Sequence, residues 1–137
     1  MASLAFAFPV TPGKAEELRS FGAEILGPRR SEYHAFRRRL DLTAQRVYLQ
    51  RTPQADIAII YVEGDDLQRT FKEVQTSQAP FAAWFRQRAS DLLDGLDLTQ
   101  VSPGSLSRLV YDLPGVEEDE DSYHTSEEMK RRGEISP

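Results

Sequence analysis

The chain has 137 residues, 39% of them hydrophobic, with no cysteine and a formal net charge of −5. That length suits one domain around one core. The missing cysteines exclude disulfides, zinc–thiolate sites and cysteine nucleophiles, and no apolar run nears the roughly 18 residues of a membrane-spanning helix.

The charge is unevenly placed. Residues 1–113 hold 14 Lys+Arg against 14 Asp+Glu, whereas residues 114–137 hold 3 against 8. The expected organisation is therefore a neutral domain, residues 1–113, with an acidic tail, residues 114–137. A neutral domain lacks the basic footprint of a nucleic-acid binder. Met1-Ala2-Ser3-Leu4 puts no basic residue ahead of the first apolar run, so no secretory signal is expected and the cytoplasm is the expected location.

Leu4, Phe6, Phe8 and Val10 alternate with Ser3, Ala5, Ala7 and Pro9, the period of a strand with its large residues on one face. Pro9 marks an edge or an end. Thr11-Pro12-Gly13-Lys14 has the chemistry of a helix start, with Thr11 as N-cap and Pro12 at the first helical position. Leu18, Phe21 and Ile25 then follow at helical spacing, Gly27-Pro28 interrupts, and Tyr33, Phe36 and Leu40 resume the stripe. One kinked helix and two short ones both fit.

Gln45–Arg51 and Asp56–Glu63 form the clearest element, a hairpin. Pairing Leu49 with Ile59 leaves a five-residue loop, Thr52 to Asp56. Val47, Leu49, Ile57, Ile59 and Tyr61 then lie under the helices, and Tyr48, Gln50, Ala58, Ile60 and Val62 share the other face. A two-layer domain covers only one sheet face, so Ile60 and Val62 call for a partner, most economically a second copy of the chain.

Asp65-Asp66 caps a helix whose apolar side is Phe71 and Val74. Another helix starts at Pro80 with Phe81, Phe85, Ala89 and Leu92 as its stripe and Trp84 beside it, ending at Asp94-Gly95. Leu106 to Leu113 supplies an expected fourth strand through Leu109, Val110 and Tyr111. The acidic run Glu117 to Asp121 reads as disordered or partner-dependent, and Ser126 to Arg132 as one or two helical turns. The order is β-α-β-β-α-β, so the expected fold class is α+β, a ferredoxin-like two-layer sandwich.

Leu49-Gln50-Arg51-Thr52-Pro53, Asp56 with Ile59-Ile60-Tyr61-Val62-Glu63-Gly64-Asp65, and Pro80-Phe81-Ala82-Ala83-Trp84-Phe85 carry a resemblance. Over residues 4 to 112 the chain resembles an uncharacterised family of small bacterial ferredoxin-like proteins, which is similar to the dimeric α+β barrel superfamily. The resemblance implies a homodimer with the two sheets face to face. It implies no particular reaction, because that superfamily spans cofactor-free monooxygenases, haem enzymes, mutarotases, dehydratases and non-catalytic binders.

The chain's own chemistry is sparse. His34 and His124 are its only histidines. His34 shares a helix face with Arg30, Arg37, Arg38 and Asp41, opposite the apolar stripe, where solvated residues go; its functional reading is a pocket rim in which His34 and Arg37 bind an anion. Arg29, Arg30, Arg37, Arg38 and Arg39 make the one basic patch, a solvated helix face or a dock for the acidic tail.

Tyr48 and Gln50, with Arg46 at the edge, would line the enclosed space of a face-to-face dimer, where they bind each other's protomer or a small ligand. Tyr61 and Trp84 are expected in the core. No Gly-rich phosphate loop, HExxH or GxSxG occurs, so neither a metal nor another cofactor is expected. Two classes stay open: a homodimeric small-ligand-binding or structural protein, and a cofactor-independent enzyme acting on a small anionic or aromatic substrate.

Overall fold

The large side chains of the first strand decide which side of the sheet is buried. In a computed structural model, which describes residues 1–115, β1 (Ala2–Pro9) sinks Phe6 into the core while Ala5 and Ala7 stay exposed. There follow α1 (Ala15–Leu26), α2 (Arg30–Leu40), β2 (Leu42–Arg51), β3 (Asp56–Gly64), α3 (Leu67–Thr76), α4 (Pro80–Leu92) and the short α5 (Pro103–Leu106). The strands form one antiparallel sheet in the order β1-β3-β2. The fold class is thus α+β, a three-stranded sheet with five helices among the described residues.

Local chemistry explains most boundaries. Asp66 caps α3 through its Oδ1, which accepts from the Arg69 amide at 3.1 Å. Pro80 opens α4 at a position whose missing N–H costs nothing. Gly27-Pro28 separates α1 from α2 completely, so two helices form. Thr11 does not cap α1, which starts two residues after Gly13 turns the chain at φ 80°. Instead Thr11 donates from Oγ1 to the Asp91 carbonyl at 2.9 Å, and its amide donates to Leu92 O at 2.8 Å. These bonds tie the exit of β1 to the end of α4.

Asp41 ends α2 in the left-handed region, φ 56° and ψ 45°, the one non-glycine with positive φ among the described residues. A side chain there is strained, and its carboxylate sits at the negative end of the helix. Asp41→Gly should raise stability by about 0.5–1 kcal/mol after losing only an exposed, long contact to Arg69. Urea unfolding monitored by circular dichroism checks this.

The hairpin corrects one expectation. Thr52 closes the loop, its amide and Oγ1 donating to the Ala55 carbonyl at 3.0 and 2.6 Å. The loop is therefore four residues, Arg51 pairs with Asp56, and Leu49 faces Ala58 rather than Ile59. That one-residue slip turns every β3 side chain over. Ala58, Ile60 and Val62 lie under the helices, opposite Phe8, Phe6 and Leu4. Ile57, Ile59 and Tyr61 take the outer face with Tyr48, Gln50 and Arg46, so Tyr61 is not a core residue.

The fourth strand is also absent among the described residues. Pro103 at the first helical position, with Ser102 and Ser105 bonded reciprocally, nucleates the helical turn α5. From Ser107 to Leu113 the backbone joins no ladder, although Ser107 Oγ donates to the Ala5 carbonyl on the β1 edge. Leu109, Val110, Tyr111 and Leu113 are consequently exposed. The acidic run from Glu117, the turns expected from Ser126 to Arg132, and His124 lie outside the described residues, as does any tail contact with the arginine patch.

Aromatic rings pack α1 and α2 against α4 and join β1 to α3. Phe21 stacks near Trp84 and Phe85 at 5.2 and 5.6 Å, Phe36 meets Phe81 at 5.5 Å, and Phe6 meets Phe71 edge-on at 6.4 Å. Trp84 belongs to this layer as expected.

Candidate functional site

The helices do not fill the space above the sheet. A cavity of about 280 Å³ lies between α1 and the inner face of β2 and β3. Its walls include Leu18, Gly22 and Ile25 of α1, Val47 of β2, and Ile60 and Val62 of β3. It meets solvent between α1 and the β2 edge, where Leu26 and Val47 are 60% and 57% exposed although both line it.

Two residues stand out in these walls. Gly22 occupies the middle of α1, where glycine costs about 1 kcal/mol against alanine. A Cβ built there would meet nothing within 4 Å, so the glycine leaves open space on the cavity wall. Gln45 has the core parity of β2, opposite Val62. Its Oε1 is buried with no hydrogen-bond partner, the one such side-chain atom among the described residues. An orphaned acceptor of this kind costs about 1–3 kcal/mol unless something donates to it.

The other polar groups of the lining are already engaged. Thr70 donates from Oγ1 to Leu40 O at 2.7 Å, and the Tyr33 hydroxyl accepts from Arg37 at 2.7 Å. Tyr33 is the only titratable side chain in the lining. The cavity therefore holds neither a carboxylate nor an imidazole to move a proton, and no cation to bind an anion.

The residues singled out from the sequence divide between the layers. Arg46, Tyr48 and Gln50 come together on the outer sheet face, as expected, and Tyr48 is 55% exposed. His34 and Arg37 lie on α2, in the helical layer across the sheet. His34 accepts from Arg30 Nε at 3.4 Å in the open, while Arg37 holds Tyr33 and the Leu42 carbonyl and so fixes the α2–β2 turn. Much of the basic patch is already occupied inside the domain. Arg29 pairs with Glu24 at 2.9 Å and lies over the Trp84 ring at 4.1 Å, and Arg39 pairs with Glu73 at 3.5 Å.

On the outer face Tyr61 donates to Glu63, and the Arg46 guanidinium lies 5.6 Å from the Tyr61 ring centre. The hydrogen bond to Glu63 pushes the Tyr61 phenol above its ordinary value, with burial acting the same way. Tyr61 is thus a donor at neutral pH rather than a base. Ile57, Ile59, Ala5 and Ala7 complete this face, an apolar centre with a polar rim.

Sequence reasoning overlooked the cavity. Gln45 was readable as a polar residue at the core parity of β2, and Gly22 as a glycine in the apolar stripe of α1. Neither residue type announces empty space by itself. Fold and site together define an α+β protein with an apolar cleft between sheet and helices that opens at a sheet edge. A scan against protein-family models finds no match to the chain, and a search of curated proteins finds none either. No helix among the described residues is long and apolar enough to cross a membrane.

Proposed function

We propose that the protein is a homodimer of ferredoxin-like chains that binds a small apolar ligand between its sheet and its helices. The cavity carries this reading. An apolar volume of about 280 Å³ leaves its lining side chains without packing partners, contacts that a bound apolar molecule would restore. A cavity of about 150 Å³ accepts one benzene, so a molecule of about ten to twelve non-hydrogen atoms suits this one. At roughly 0.5 kcal/mol per atom it would bind with a Kd of roughly 40–200 μM.

The lining's one titratable group, Tyr33, is already bonded to Arg37, which favours binding over catalysis. The ferredoxin-like and dimeric parts rest on the chain order and on β1 standing at the sheet edge beside β3, where a fourth strand would complete that arrangement. The outer apolar face around Ile59 supports pairing of two sheets.

Gly22→Leu tests the cavity. The added side chain should raise stability by about 2–3 kcal/mol through burial and helix propensity. Butylbenzene should raise the melting temperature of the wild type and leave that of Gly22→Leu unchanged. A wild type indifferent to butylbenzene, or an equal response from the variant, would remove this reading.

A further inference from the structure

Given that binding role, we propose that the ligand is an uncharged molecule with one hydrogen-bond donor, a hydroxyl or N–H, that donates to Gln45 Oε1. The charge follows from the walls. No lysine, arginine, histidine, aspartate or glutamate lines the cavity, so an ion would shed its hydration and find no counter-charge. An anionic ligand, the natural expectation from the arginines of α2, meets the helices' outer side instead.

The donor follows from Gln45. Thr70 and Tyr33 have protein partners at 2.7 Å each, whereas Gln45 Oε1 is buried and has none. Oε1 is closed to water in the unliganded protein, so its bond stays unmade. Rotation of the Gln45 side chain toward the cavity it lines lets a guest's donor satisfy it and be oriented by it, which a purely apolar guest cannot do. Val47 and Leu49, the next two inner-face positions of the same strand, are apolar, so Gln45 is the polar group that β2 presents to the cavity. Burial of the apolar body against Phe21, Ile25 and Ile60 then supplies affinity, and the single bond supplies selection.

Three probes of one shape separate these elements: 2-naphthol, 2-methoxynaphthalene and 2-naphthoate, titrated at pH 7 by their fluorescence into wild type, Gln45→Leu and Gly22→Leu. In the wild type 2-naphthol should bind about three- to tenfold tighter than 2-methoxynaphthalene, the worth of one hydrogen bond. The 2-naphthoate anion should bind weakest. Gln45→Leu should erase the preference for 2-naphthol while still binding 2-methoxynaphthalene, and its melting temperature, at or above wild type, shows that it folds. Gly22→Leu should bind none of the three.

Equal affinity for 2-naphthol and 2-methoxynaphthalene in the wild type overturns the donor assignment, and so does a preference that survives Gln45→Leu. Tightest binding of 2-naphthoate overturns the assignment of charge. Both results leave the cavity as a binding site. Failure of all three probes to bind the wild type, or undiminished binding to Gly22→Leu, overturns the cavity reading itself and this inference with it.

Discussion

Phe36→Ala should lower the unfolding free energy by about 3–5 kcal/mol and the melting temperature by roughly 10–20 °C. Phe36 is 2% exposed and is one of the two largest fully buried side chains. Its ring meets Phe81 at 5.5 Å and Phe85 at 6.1 Å, which is how α2 is held against α4. Leu40, also 2% exposed, and Tyr33, whose ring lies 6.4 Å from that of Phe81, are the other apolar anchors of α2, but Phe36 is the largest of its buried side chains. Truncation leaves a void that the neighbouring rings cannot fill, and tethers at Arg37 and Thr70 do not replace the lost area. Phe36 does not line the ligand cavity, so butylbenzene binding should survive at low temperature. Thermal and urea unfolding read the effect; a loss below about 1 kcal/mol would show that α2 is not anchored by this ring.

On the proposed pairing of two sheets, Ile59→Asp should convert a particle of two 15.6 kDa chains into one of a single chain. Ile59 pairs laterally with Ala7 on one side and Tyr48 on the other, so it stands at the middle of the outer sheet face. A carboxylate there would be buried without a partner in a paired-sheet dimer, at a cost of several kcal/mol, yet would meet water in a monomer. Tyr48→Lys, at a residue 55% exposed in the single chain, tests the same surface with little burden on the fold. Light scattering at tens of micromolar checks both variants. The wild-type melting temperature should also rise with concentration. A wild type that scatters as one chain would remove the dimer.

The hairpin shows how far local reasoning reached. Both strands, the turn and the apolar alternation are written in Gln45–Glu63, and the elements fold where that pattern puts them. The face assignment of β3 was not, because Ile57, Ile59 and Tyr61 compete with Ala58, Ile60 and Val62 on nearly equal terms. Thr52 decided it by closing a four-residue loop, and β1 enforced it by demanding burial of Phe6 and Phe8. The outer face therefore carries Ile57 and Ile59 in place of Ile60 and Val62. Leu109, Val110 and Tyr111 have strand composition, yet a strand exists only with a partner ladder, and none is taken up.

The sequence by itself determined the elements that depend on near neighbours. Caps such as Asp66, breaks such as Gly27-Pro28 and the stripes of α1, α2 and α4 act within a few residues, where covalent proximity sets the contacts. Arg46, Tyr48 and Gln50 likewise share a face because strand side chains alternate. Tertiary structure alone decided the strand register, the three-stranded extent of the sheet and the empty volume above it. Those depend on how side chains distant in the chain fill or fail to fill a common space, and a void has no residue of its own to mark it. Gly22 and Gln45 acquire meaning only when α1 and β2 face each other across that volume.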